Sequence, residues 1–145
     1  MPNARDAMKR RLRGITRKGW ASAMVCMIGR SPYFRWHDSG DIQSMGHLEK
    51  IVEVCRRTPG TRHWIPTKEY GVVRQFLRNG GVFPSNLAVR VSCPMVDAYI
   101  NPVPGLPFSA VNAETTGQGH ICPGECGDCR KCWDTGCSLV TYKKH

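Results

Sequence analysis

Tyr33-Phe34-Arg35-Trp36-His37 is an aromatic strand, and Asp38-Ser39-Gly40-Asp41 is the polar turn that ends it. Ser44 then stands where a helix cap is needed. Met45, Leu48, Ile51, Val52 and Cys55 fall on one face of the helix it opens, which runs to Arg57. Thr58-Pro59-Gly60 stops that helix. Arg62-His63-Trp64-Ile65-Pro66 is a second strand, and Thr67-Lys68-Glu69 is its polar exit. Pro66 has no N–H to give a sheet ladder, so the strand is expected to end there. Tyr70 to Arg78 is a second helix with Val73, Phe76 and Leu77 inward, closed by Gly80-Gly81. Asn86 to Ser92 is a third strand, with Leu87-Ala88-Val89-Arg90-Val91 at its heart. The strands start at residues 33, 62 and 86. Gaps of that size hold crossover helices, which make neighbouring strands parallel and the connections right-handed. The sequence therefore predicts an α/β fold built on a small, open parallel sheet with crossover helices.

In such a sheet the polar residues after each strand meet at the carboxyl edge, where α/β folds bind ligands. His37, Asp38, Ser39, Asp41, Lys68, Glu69 and Ser92 would share that face. Arg35, His37, Asp38, Asp41 and Glu69 are the candidate catalytic residues. His37 beside carboxylates can have its imidazole oriented for acid–base work, or hold a second metal. The plainer alternative is a turn, because Asp38, Ser39 and Gly40 are turn formers and Asp38 can bond its own backbone. Lys68-Glu69 is either part of that pocket or an ion pair at a helix start, where Glu suits the helix dipole. Arg35 and Arg90 lie inside strands and need partners, from Asp38, Asp41, Glu69 or a bound anion. There is no glycine-rich phosphate loop, and Ser39-Gly40 lacks the flanks of a nucleophile elbow.

Upstream, residues 4–14 form a basic helix with Ala7, Met8 and Leu12 on one side, broken at Gly14. Thr16 can cap a second helix, whose apolar positions Trp20, Met24, Met27 and Ile28 follow helical spacing. Cys26 on that helix reads as a buried small hydrophobe. The 145 residues suffice for one domain with a sizeable core. It divides into basic N-terminal helices (1–30), a βαβαβ core (31–113) and a cysteine-rich metal loop with its tail (114–145). Lys and Arg number 21 against 11 Asp and Glu, a net charge of +10. The excess is concentrated early, at Arg5, Lys9, Arg10, Arg11, Arg13, Arg17 and Lys18. That suits nucleic acid or another polyanion, or it is a solvated arm. No apolar run is long enough for a signal peptide, and Ala21 to Ile28 is too short to span a membrane. The eight cysteines then point to a reducing compartment, the cytoplasm.

Five of those cysteines fall in His120-Ile121-Cys122-Pro123-Gly124-Glu125-Cys126-Gly127-Asp128-Cys129-Arg130-Lys131-Cys132-Trp133-Asp134-Thr135-Gly136-Cys137. Thiols packed this closely bridge as disulfides or hold a metal. The overlapping Cys-x2-Cys-x2-Cys run is of the ferredoxin type, which suits an iron–sulfur cluster. Soft thiolates also suit zinc, although zinc more often takes two pairs separated by a longer loop. The candidate ligands are Cys122, Cys126, Cys129, Cys132 and Cys137, with His120 behind them. Trp133 would shield the metal. The spacing Cys122-x3-Cys126-x2-Cys129 is also that of the radical-SAM cluster. Here, however, it follows the last strand rather than the first, and Asp128 replaces the usual aromatic.

Four runs resemble the phage "gene product 88" family, in the family's order and over roughly residues 20–134. They are Tyr33 to Ser44, Trp64 to Glu69, Asn86 to Ser92, and Cys126 to Asp134. The family looks like a shortened relative of radical-SAM barrels, so the resemblance implies a partial-barrel sheet. Within it, Cys126, Cys129 and Cys132 match the family's Cys-Gly-Asp-Cys-Arg-x-Cys run, and Cys122 matches an earlier cysteine. These four are the implied ligands of a 4Fe–4S iron–sulfur cluster or of zinc, with Cys137 in reserve. Longer members carry an upstream cysteine-rich segment that this chain begins too late to contain. Either the chemistry is lost and the scaffold kept, or the chain is a fragment or a second gene product, with that segment missing or supplied by another chain. The expectation is a phage-type metal-binding protein of undetermined activity, related to SAM-dependent enzymes and acting in the host cytoplasm. The alternative is a zinc-stabilised module whose Arg10, Arg11, Arg13, Arg17 and Lys18 contact nucleic acid or a host protein.

Overall fold

The computed structural model describes residues 4–37, 40–113 and 117–144. Helices α1 (Ala4–Ile15) and α2 (Trp20–Ile28) precede strand β1 (Tyr33–Arg35). Then come α3 (Met45–Arg57), β2 (Arg62–Thr67), α4 (Tyr70–Arg78) and β3 (Leu87–Ser92). Strands β4 (Phe108–Asn112) and β5 (His120–Ile121), a 3-10 turn (Lys131–Trp133) and β6 (Leu139–Lys143) complete the chain. The six strands form one sheet in the order β1-β2-β3-β4-β6-β5, and every neighbouring pair is parallel. The sheet curls into an open half-barrel, so the α/β expectation holds and the sheet is larger than the three-stranded core.

Local chemistry accounts for the central elements. Ser44 caps α3, its Oγ accepting the His47 N–H at 3.1 Å. Leu48, Ile51, Val52 and Cys55 are buried along one face of that helix. They pack with Ile65, Val73, Phe76, Leu87, Val89 and Val91 in the main core, between the helices and the sheet's outer face. Leu87 to Val91 are all buried because both faces of β3 are covered. On the other face lie Trp64, Val140, Tyr142 and the cysteine-rich segment.

Five expectations need correction. Strand β2 continues through Pro66 to Thr67. The N–H of Arg62 bonds toward β1 (to the Pro32 carbonyl, 2.8 Å) and that of His63 toward β3 (to Asn86, 2.7 Å). By alternation the nitrogen of Pro66 faces the β1 side, beyond the end of β1, where no donor is required. Thr16 does not cap α2; its hydroxyl donates back to the Arg13 carbonyl at 2.9 Å, and α2 starts from Gly19. Cys26 is exposed, and so are Met27 (79%) and Leu77 (36%), because only one side of α2 and of α4 meets the core. No helix among the described residues is long and apolar enough to cross a membrane.

Candidate functional site

Arg90 organises the inner face of the half-barrel. It is fully buried at the middle of β3. Its partners are backbone carbonyls rather than the expected carboxylates. Nη1 donates to Phe108 and Cys137 at 3.0 Å each, and Nη2 donates to Lys131 at 3.1 Å and Asp134 at 3.2 Å. Three of these carbonyls belong to the cysteine-rich segment, which one guanidinium thus ties to the sheet. Trp133 makes a second tie. Its indole N–H donates to the Phe34 carbonyl at 3.0 Å, and its ring meets Trp64 and Tyr33 edge-on.

This anchoring brings Cys122, Cys132 and Cys137 against Trp64, Val140 and Tyr142. All eight cysteines are free thiols. Cys132 is buried and lies 3.1 Å from the Tyr142 hydroxyl. Burial pushes its pKa up, partly offset by Tyr142 and by the Arg90 charge; Cys122 and Cys126 are near enough to add repulsion. Cys129 instead meets His120, Sγ to Nε2 at 3.4 Å, and Cys126 is exposed. The donor chemistry fits a thiolate-bound metal. The spacing does not: among the described residues no three His, Cys, Asp or Glu side chains stand close enough to share one ion.

The carboxyl-edge candidates do not form one pocket. Arg35 is exposed and lies over the Trp64 ring, 4.8 Å from its centroid. Asp41 is a clamp between two strand ends. Its Oδ1 accepts from the Ile42 N–H and the Thr67 hydroxyl, at 2.7 and 2.5 Å, and its Oδ2 accepts from the Lys68 N–H at 2.7 Å. Glu69 is exposed at the start of α4, where its side chain makes no cap bond. Asp38 and Ser39 lie outside the described residues.

Among the described candidates, His37 lines a cavity. The cavity holds about 360 Å³ between α1, α2, β1 and the start of α3. Trp20, Phe34 and Trp36 give it aromatic walls, His37 and His47 its polar groups, and Arg11 its charge. Trp20 stands 6.2 Å from Trp36 and 5.4 Å, edge-on, from His47. His37 adopts a left-handed backbone (φ 54°), sparsely populated for a residue with a side chain. Its Nε2 is buried and has no hydrogen-bond partner among the described residues. Burial lowers the pKa of His37, against the pull of Asp41. Burial, with His37 and Lys50 nearby, lowers that of His47 to about 4. The sequence reading missed this cavity. Its only signals were Trp20 at a core position and His47 three residues after the Ser44 cap, and neither marks a cavity by itself.

A half-barrel of parallel strands, closed on its inner face by a cysteine-rich segment held on a buried arginine, defines the structural class. The family model for Gene product 88 matches residues 1–100, and the chain belongs to that phage-type family. The first three runs that carry the resemblance lie inside the match; Cys126 to Asp134 lies beyond it. No curated protein and no solved structure matches the chain.

Proposed function

We propose that the chain is a cysteine-ligated metal-binding protein of the phage type. Its ligands would be Cys122, Cys126, Cys129 and Cys132, and its metal a 4Fe–4S cluster or a zinc ion. The observation that carries this reading is the fixed platform beneath the thiols. Arg90 holds the carbonyls of Lys131, Asp134 and Cys137, which flank Cys132, and Cys122 packs in the same cluster as Cys132. The stretch between the outer thiols is exposed, and Gly124 and Gly127 there have positive φ and open space around them. Ligation would draw this stretch inward, so binding and loop folding would be one event. The metal would supply either electron-transfer or structural chemistry.

The test is metal and sulfide analysis, with an absorption spectrum, of full-length protein purified without oxygen. Iron with acid-labile sulfide, or about one zinc per chain, that is lost in Cys126→Ser and Cys132→Ser and kept in Cys26→Ser supports the reading. Protein without either metal, its loop thiols paired as disulfides, overturns it.

A second reading has its own observation. Lys9, Arg10, Arg11, Arg13, Arg17 and Lys18 are all exposed on and just after α1. We infer from this a surface that contacts nucleic acid. Oligonucleotide binding that weakens steeply with salt supports it, and no binding at low salt removes it.

A further inference from the structure

Beside α1 lies a groove of about 360 Å³ that is open to solvent. That is within the range of small-ligand sites. The His37 backbone is held in a strained region while its Nε2 points to no partner among the described residues. The half-buried Trp20 and Phe34 offer apolar ring surface over the buried Trp36, and His37 and His47 offer ring nitrogens. Burial favours the neutral form of both imidazoles; His47 Nδ1 already accepts the Gln43 N–H at 3.2 Å, so His47 offers a ligand its Nε2–H as a donor. Arg11 joins the lining to the exposed cations of α1.

A ligand that matches all of this is planar and aromatic, has a hydrogen-bonding edge and carries a negative charge at the mouth. We propose that the cavity takes one base of a single-stranded nucleic acid, with the flanking phosphates on the cations of α1. This rests on the reading of α1 as a nucleic-acid surface and adds to it a base site. Single strands are favoured over duplex because a paired base must first be unpaired and unstacked, which costs free energy, before it can lie in the groove. They are favoured over a free nucleotide because the cations from Lys9 to Lys18 outnumber what one phosphate group needs. Base–aromatic stacking is sequence-tolerant, so little preference among bases is expected.

The test uses the full chain and a labelled single strand of about twelve nucleotides, within the site sizes usual for such proteins. Alongside it run the same strand with abasic sites, a duplex of the same length and a nucleoside monophosphate. The expected result is tryptophan quenching by the intact strand, and affinity for it about tenfold above that for the abasic strand. Trp20→Leu should erase the difference between the two strands, and Cys26→Ser, on the exposed side of α2, should preserve it. The abasic comparison needs no variant, so it stands even if Trp20→Leu folds poorly. Equal affinity for intact and abasic strands, both salt-sensitive, overturns the base site and leaves the α1 surface intact. Binding to none of the nucleic acids overturns both. A monophosphate that binds as tightly as the strand overturns the strand in favour of a free nucleotide.

Discussion

Arg90 shows how one residue can place a whole segment. A buried guanidinium must recover its hydration from the protein, and a carboxylate is the usual source. Here four carbonyls do it, and three come from the segment that needs to be fixed. The planar fork matters more than the charge, because two carbonyls must be met on each Nη. Arg90→Lys is therefore expected to behave like Arg90→Met. Each should lower unfolding stability by about 2–4 kcal/mol, as for a buried charged hydrogen-bond network that is broken. Urea melts check this, and a lysine variant within the error of wild type would show that the carbonyl bonds contribute little. Asp41 makes a similar point. The sequence made it a catalytic candidate because it follows a strand; in the structure its carboxylate is bonded to Ile42, Thr67 and Lys68. That tie to the end of β2 is not legible in sequence.

At the level of elements, legibility followed how local the cause was. Strands β1, β2 and β3 and helices α3 and α4 were readable because caps, glycines and apolar spacing act within a few residues. Strand β5 has two residues, His120–Ile121, and takes its structure from pairing with Val140 and Thr141. Nothing local announces that pairing. The exposure of Met27 was equally hidden, because helical spacing gives a stripe but not its width. Trp133 was read as a shield for a metal; in the structure it straps the cysteine-rich segment to β1 through Phe34 and Tyr33 and to β2 through Trp64. Trp133→Ala should therefore cost about 3 kcal/mol. It should also open the segment from Lys131 to Cys137 to limited proteolysis before the rest of the chain. Cleavage that begins in α3 or β3 instead would show that the strap does not control this segment. The gathering of thiols was readable as a cluster but not as geometry, since Cys129 turns to His120 while Cys132 turns to Tyr142.

The molecule as a whole carries a net charge of +10 and buries two histidines that resist any further charge. His63 is fully buried, its Nε2 is 2.8 Å from the Thr58 hydroxyl, and that hydroxyl itself donates to the Val54 carbonyl. Nε2 must then be the donor, which leaves Nδ1 bare, buried and without an acceptor for a second proton. Burial lowers the pKa of His63 to about 4, and that of His47 is lowered to about 4 as well. Unfolded, both groups titrate near 6.5. Between those values the unfolded chain binds protons that the folded chain refuses, so acid favours unfolding. The stability from keeping these rings neutral is present in full above about pH 6.5 and drains away as the pH falls toward 4. The expected loss is about 1–2 kcal/mol for each histidine between pH 7 and 5, or roughly 5–10 °C in Tm for a domain of this size. Most carboxylates are still ionised at pH 5, so the slope in that window belongs chiefly to histidine. Thermal melts from pH 7.5 down to 5 measure it. A flat Tm would mean that His47 and His63 accept protons in the folded state, and that the packing around them opens to water.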